Sequence, residues 1–332
     1  FQASAEVRNG LTLEGWEPGD EAADPLLFFG DLTGNQYAVS ALTGTLRWRK
    51  RIDEHSAATL TAAAELDDGV LYVPVSSLEE GAAIARNYPC CSFRGAIVAL
   101  DARSGRERWR RHFIPPAQPT GVSAAGTPQY GPSGVPIWAG MAMDEERLYI
   151  ATGDDYSGSG SERSDSIIAL DKASGEITWV RQARFGDIWN GSCENLDPVN
   201  CPDDNGPDDD YGAGPVIALD SQGRRVILAG DKGGVVAALD AANGDVLWKN
   251  KVGRGGVVAG INFGLAAHDG KVFVPVSDVP DGRNYDEPAR PGLYALNIDT
   301  GDYVWKAPAE QDVCEGRPGC YPGYSAAISV TD

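Results

Sequence analysis

The sequence is short of cations. It carries 28 Lys and Arg against 48 Asp and Glu, a formal charge of −20. Clustered cations are what neutralise phosphates, so this balance argues against a nucleic-acid binder and against docking on an anionic membrane surface. There is no run of about 18 apolar residues, so no helix read from the sequence spans a bilayer. No C-x-x-C-H is present, which excludes covalent c-type haem on this stretch. No G-x-x-x-x-G-K-[ST] surrounds Gly233 and Gly234, and Gly158-Ser159-Gly160 is too short and too polar to open a dinucleotide-binding helix. No G-x-S-x-G sits between a strand and a helix, so a serine-hydrolase nucleophile elbow is missing.

What the chain does have is turns and a core. It contains 41 Gly and 21 Pro, and 42% of its 332 residues are hydrophobic. That is enough apolar surface for packing and too much for wholesale disorder. Length alone would suggest about two domains. Phe1 stands where an initiator Met would, and residues 324–332 read as the start of a strand cut short. The chain is therefore read as processed or partial at its N-terminus and truncated at its C-terminus.

The six Cys fall in three close pairs: Cys90 with Cys91, Cys193 with Cys201, and Cys314 with Cys320. Each pair sits in a loop rich in Pro, Gly or Asn. Local pairing is the simplest of the possible connectivities, and it points to an oxidising compartment. Zinc would require His beside the pairs, and none of the three His residues, His55, His112 and His268, stands there.

One pattern governs the chain, A-[LV]-[DNS]-x2-[TSN]-G-x3-W. It occurs five times, at residues 38–48, 99–109, 169–179, 238–248 and 295–305. Alternating apolar residues end one strand, a polar residue followed by [TSN]-Gly makes a tight turn, and the next strand carries an inward or inter-sheet Trp. A further apolar strand precedes four copies, at residues 71–75, 148–151, 226–229 and 272–276. Units of several short antiparallel strands with little room for helix must stack to bury both faces. Radial stacking of such units gives an all-β propeller.

These copies resemble the tryptophan-docking motif of the quinoprotein alcohol dehydrogenases. The resemblance runs over essentially the whole chain, and the segments between copies, such as Tyr88-Pro-Cys-Cys-Ser-Phe-Arg-Gly95, look like those of the polyvinyl-alcohol dehydrogenases. It implies an eight-bladed propeller with pyrroloquinoline quinone (PQQ) on its axis. Residues 1–332 would form one incomplete propeller domain of about five blades and the start of a sixth. Eight blades at this repeat length would need well over about 500 residues.

The resemblance also assigns site residues. Trp138, outside the repeated register, matches the family Trp beneath the quinone. Cys90-Cys91 is the candidate vicinal disulfide, although it falls one blade from the family position, so it either covers the cofactor's rim or braces a loop. Glu80 matches a Ca²⁺ ligand, with Glu79 as its rival. Asp154 stands where the family has an Asn ligand, which keeps an oxygen donor and adds charge. Asp210 matches the catalytic base, with Asp208 and Asp209 crowding it. Lys232 matches the cation near the quinone oxygens. Thr61 and Ser77 match hydroxyls that hold the cofactor's carboxylates, and Arg94 would add a bidentate donor. Ordinary readings stand beside each: a packing Trp, solvated carboxylates, a surface Lys and a turn Ser.

The implied activity is PQQ- and Ca²⁺-dependent oxidation of a secondary or polymeric alcohol. Electrons would pass to a separate cytochrome c in the periplasm or outside the cell. The rival is a non-catalytic propeller scaffold of the outer-membrane assembly type. A family member that kept the fold and lost the quinone is a second alternative.

Overall fold

Each copy of the repeat lies at the centre of one antiparallel meander. The computed structural model describes residues 1–15, 23–310 and 313–331. Among the described residues there are seven sheets: five in chain order, here called blades I to V, and two two-stranded ones that pair Gln118–Val122 with Pro128–Gly131 and Ser133–Gly134 with Asp155–Ser157. Blade I joins Thr12–Leu13, Leu26–Gly30, Asn35–Ser40 and Leu46–Arg51. Blade II joins Glu65–Asp67, Val70–Ser77, Ala96–Asp101 and Glu107–His112, with Ala58–Thr59 paired to the end of its long strand. Blade III is Met141–Met143, Arg147–Ala151, Ser166–Asp171 and Ile177–Gln182. Blade IV is Val216–Leu219, Arg225–Gly230, Val235–Asp240 and Val246–Lys251. Blade V is Ala266–His268, Lys271–Val276, Gly292–Asn297 and Tyr303–Pro308. The strand Leu26–Gly30 supplies for the first repeat the partner that the sequence pattern had shown only for the other four.

The repeated residues explain the repeated geometry. Asp101 closes its turn by accepting from Ser104 N at 3.0 Å and Ser104 Oγ at 2.8 Å, and Asp171 does the same with Ser174. The following Gly takes φ near +70° in every copy, a conformation that a Cβ would strain. Each repeat Ala then lies opposite its Trp, as Ala99 does with Trp109, and the register shifts at the next residue.

The Trp is an inter-sheet residue. The indole N–H of Trp48 donates to Ala102 O at 2.8 Å, Trp109 to Lys172 O at 3.1 Å, Trp179 to Ala241 O at 3.1 Å and Trp248 to Ile298 O at 2.6 Å. Each ring lies over the turn Gly of the next blade; a Cβ on Gly175 would fall 2.6 Å from Trp109. Trp305, in the last blade, is 38% exposed.

Strand alternation buries both faces of the inner blades. Val98 and Leu100 pack toward blade I with Phe28 and Leu26, while Ile97 and Ala99 pack toward blade III with Leu148 and Ile150. The same division joins III to IV through Ile167 and Ile227, and IV to V through Leu228 and Val274. Each fully buried Leu, Ile or Val contributes about 1.5–3 kcal/mol, so these four layers hold the sheets in sequence.

Among the described residues helix is confined to the single turn Glu79–Ala82 and the 3-10 turn Gly191–Glu194. All three expected Cys pairs are bonded. Among the described residues no helix is long and apolar enough to cross a membrane. Residues 313–331 carry no strand, although the sequence pattern predicts one beginning near Tyr324. A strand needs a partner edge for its N–H and C=O groups.

Candidate active site

Antiparallel pairing places the start of a blade's first strand beside the end of its second. Met141 pairs with Ile150, and Val216 with Leu228. Trp138 and Asp210 precede the first strands of blades III and IV, while Glu80, Asp154 and Lys232 follow the second strands of blades II, III and IV. All of them emerge at the end of the blades opposite the repeat turns.

Trp138, Asp210 and Lys232 are in direct contact. The Trp138 indole N–H donates to Asp210 Oδ2 at 2.8 Å. Lys232 Nζ forms an ion pair with Asp210 Oδ1 at 2.7 Å, gives its directional hydrogen bond to Asp208 Oδ1, and lies 5.7 Å from the Trp138 ring centroid. Asp154, Asp208 and Asp210 each offer an oxygen within 4.8 Å of the others. All three are buried, and Asp154 Oδ1 and Asp208 Oδ2 have no hydrogen-bond partner.

Beside this cluster lies a cavity of about 700 Å³. Its walls include Thr61, Ser77, Glu80, Trp138, Tyr156 and Phe263. Thr61 Oγ1 donates to Trp138 O at 3.1 Å and so holds the segment that carries the indole. The Phe263 ring meets Trp138 edge-on at 6.4 Å. The turn Glu79–Ala82 separates the two rival glutamates. Glu79 points into the core, where its carboxylate accepts from Tyr88 Oη, Ser92 N and Phe93 N. Glu80 faces the cavity. It belongs to no close carboxylate triple among the described residues.

Burial dominates the electrostatics. It pushes the Asp154 carboxyl well above the usual range, reinforced by the charges of Asp210 and Asp208. Asp208 is raised by burial and Asp210, against the pull of Lys232. Glu80 is raised by burial, with Lys232 opposing and Asp210 adding. Burial alone would lower Lys232, but Asp210, Asp208 and Asp154 outweigh it and hold the ammonium charged. Three buried carboxylates around one ammonium remain electron-rich. An all-oxygen donor set with orphaned buried oxygens fits a hard cation such as Ca²⁺, and a cavity walled by an indole, a phenyl ring and hydroxyls fits a planar polar cofactor.

Two of the candidates stand apart from the Trp138 cavity. Arg94 lies in a separate cavity with His55, Arg110 and His112, where its Nη1 donates to Ile114 O at 3.5 Å. Its backbone pairs with Gly134, and that pairing fixes the chain's direction there. Cys90-Cys91 is buried in the apolar layer between blades I and II with Phe93 and Tyr156, and it does not line the Trp138 cavity. Conversely, Asp208 is no solvated loop acid. Asp208, with its backbone in the left-handed region at φ +71°, and Asp210 both reach Lys232, while Asp209 turns to Arg184 at 2.7 Å. The sequence shows three consecutive acids and no local pattern that separates them. Asp187, unmarked by any motif, holds this segment by accepting from Asp208 N at 3.1 Å and Asp209 N at 2.9 Å.

Comparison with known proteins agrees with this architecture. Residues 77–195 match the family model described as glucose/ethanol/alcohol dehydrogenase, beta-propeller domain. Residues 213–319 match that of outer membrane protein assembly factor BamB. The chain is 36% identical to a polyvinylalcohol dehydrogenase of Sphingopyxis sp. (strain 113P3) over 94% of its own length and 49% of that protein. It is 34% identical, with the same coverage, to one from Pseudomonas sp.. It spans about half the length of the curated relatives it matches. The quinohemoprotein alcohol dehydrogenase of Comamonas testosteroni superposes with a TM-score of 0.59 at 17% identity, covering 92% of this chain and 59% of that one. The fold is thus a β-propeller of the quinoprotein alcohol dehydrogenase type. The resemblance to that family holds over nearly the whole chain, with polyvinylalcohol dehydrogenases among the relatives that carry it.

Proposed function

We propose that residues 1–332 belong to one propeller domain that holds PQQ and Ca²⁺ and oxidises a secondary or polymeric alcohol. The observation that carries this reading is the contact of Trp138, Asp210 and Lys232 beside a cavity walled by Thr61, Ser77 and Glu80. Bound PQQ would supply the two-electron acceptor that no side chain here provides.

The chain's own residues supply the rest. Trp138 presents a flat apolar face, Ser77 offers its hydroxyl to the cofactor's carboxylates, and Thr61 would do the same by exchanging its hydrogen bond to Trp138 O for one to the cofactor. Asp154 and Glu80 are the oxygen ligands for Ca²⁺. Asp210 accepts the hydroxyl proton of the alcohol as general base. Its two oxygens are fixed by the Trp138 N–H and the Lys232 ammonium, which set its orientation before substrate arrives. Lys232 also keeps a positive charge where negative charge collects during oxidation.

Electrons would leave to a separate cytochrome c. The acidic surface suits a basic acceptor, and the three disulfides suit the periplasm or the extracellular space. The scaffold reading draws on the match at 213–319. That stretch contains Lys232 but neither Trp138 nor the carboxylates, so it leaves the acidic cluster unexplained. The test is to add PQQ and Ca²⁺ to the purified protein and follow dye reduction by a secondary alcohol. Activity should vanish on chelation and fall about 10²–10⁴-fold in Asp210→Asn. No reduction, together with no quinone absorbance surviving dialysis, sinks the enzyme reading.

A further inference from the structure

Asp154 belongs to two close groups of carboxylates. One is its triple with Asp208 and Asp210, described above. The other joins it to Asp165 and Asp187, and here too each residue offers an oxygen within 4.8 Å of the others. The two triples share only Asp154. Asp165 stands directly before the strand Ser166–Asp171, and Asp187 lies on the connection from blade III to blade IV. Backbone bonds set Asp165 in place: its N–H donates to Gly153 O at 3.3 Å, beside Asp154, and its carbonyl accepts from Ala183 N at 2.8 Å.

The second triple is left without partners. All three side chains are buried, and Asp165 is 0% exposed. Neither oxygen of Asp165 has a hydrogen-bond partner, and neither does Asp154 Oδ1. Each Asp187 oxygen accepts one backbone N–H, from Asp208 or Asp209, and a carboxylate oxygen has a further lone pair to give. Cations do not answer this charge. Lys232 pairs with Asp208 and Asp210. Among the described residues the only cation in an ion pair with the second triple is Arg184, 3.9 Å from Asp187 and half-exposed. Burying carboxylates so poorly paired is costly. Oxygens that share one Ca²⁺ at about 2.3–2.6 Å lie no more than about 5 Å apart, and these three meet that limit.

We infer that Asp154, Asp165 and Asp187 hold a second hard divalent cation of the Ca²⁺ class, separate from the ion assigned to Glu80 and sharing Asp154 with it. Its work is architectural. It ties the connection inside blade III to the one between blades III and IV, and Asp187 in turn holds the backbone of Asp208 and Asp209. The inference does not rest on the alcohol-oxidation reading, because Asp165 and Asp187 do not line the Trp138 cavity. The competing occupant is a proton shared between Asp154 and Asp165.

The test is Ca²⁺ binding to the full chain without PQQ, stripped by a chelator and followed by equilibrium dialysis and thermal melts. Asp165→Asn should bind one ion fewer than the parent, and Glu80→Gln should keep the ion that Asp165→Asn loses. Saturating Ca²⁺ should raise the midpoint of the parent and of Glu80→Gln by about 5 °C and leave Asp165→Asn almost unmoved. In chelator Asp165→Asn should melt at or above the parent, because the amide removes a buried charge. Equal ion counts in the parent and Asp165→Asn, a parent chain that binds no Ca²⁺, or a midpoint gap that ignores Ca²⁺, as a shared proton predicts, would each overturn the inference. Should Asp165→Asn fail to fold, Glu80→Gln still decides: loss of all Ca²⁺ there places every ion on the cofactor side and overturns it too. The two readings fail separately. A protein that reduces dye with PQQ but whose Ca²⁺ depends on Glu80 alone keeps the enzyme and loses this site. One that binds Ca²⁺ through Asp165 but retains no quinone does the reverse.

Discussion

Aspartates at the two ends of the same sheets live under opposite conditions. At the turn end, Asp101 is partly exposed and saturated with donors. Arg108 and then Ser104 hold its carboxyl down at about 2. At the other end, Asp154, Asp165 and Asp208 are buried, lack partners for some or all of their oxygens, and are pushed well above the usual range by burial. The turn end repeats five times and every copy does the same work. The other end does not repeat, and its polar groups are left under-satisfied. The contrast separates what closes a blade from what waits for a ligand.

The sharpest way to break the contrast is at Lys232. Lys232→Met leaves Asp208 and Asp210 buried together without a cation, and should cost about 3–5 kcal/mol. The loss is read from the denaturation midpoint near neutral pH, and it should shrink in acid as the carboxyls take up protons. An unchanged midpoint would mean that the cluster is not electrostatically strained.

Asp231 tests the same end with the opposite sign. Burial raises its carboxyl from 3.8 to about 7. The folded state therefore holds this proton more tightly than the unfolded chain does, so the stability it confers is complete below about pH 4 and is lost as the pH rises through about 7. Asp231→Asn removes that titration and keeps an acceptor for Val235 N. It should stabilise the protein above pH 7 by up to about 4 kcal/mol, with the gain vanishing near pH 4. Thermal melts across that range would show it.

The turn end is probed by two glycines of equal φ. Gly175 (φ +70°) packs under Trp109, whereas Gly44 (φ +68°) has nothing nearer than Phe1 N at 4.0 Å. Both Ala variants carry the left-handed penalty of about 1–2 kcal/mol. Only Gly175→Ala adds overpacking of about 1–3 kcal/mol. Equal losses would deny that the indole seat is a tight contact.

The smallest effect belongs to Asp101→Ala, about 1 kcal/mol or less for one exposed turn. A depressed carboxyl contributes above the unfolded value near 4 and loses its contribution as the pH falls toward about 2. The variant should therefore differ from the parent at neutral pH and converge with it in strong acid.

Most of the fold was legible. The turn and the Trp spacing recur because each blade solves the same local problem, and a solution repeated five times stands out against any composition. The site was legible in part. Trp138 and Lys232 sat at strand ends whose neighbours antiparallel pairing dictates. Arg94 and Cys90-Cys91 were adjacent in sequence to plausible site residues, yet the chain folds back through the bridge from Arg94 to Gly134 and carries them into other surroundings. Asp208 looked like one of three solvated acids, but the fold holds its backbone at φ +71° and buries its carboxylate against Lys232.

The sequence by itself determined the blade: which residues pair, where each turn closes, and which indole reaches the next sheet. Those are contacts between near neighbours or between repeated units, and local chemistry fixes them. Only the tertiary structure decided which carboxylates share one buried space with Lys232. Asp154 and Asp165 come from the connection inside blade III, and Asp187, Asp208 and Asp210 from the connection between blades III and IV; burial, the force that acts on this cluster, exists only once the blades are stacked.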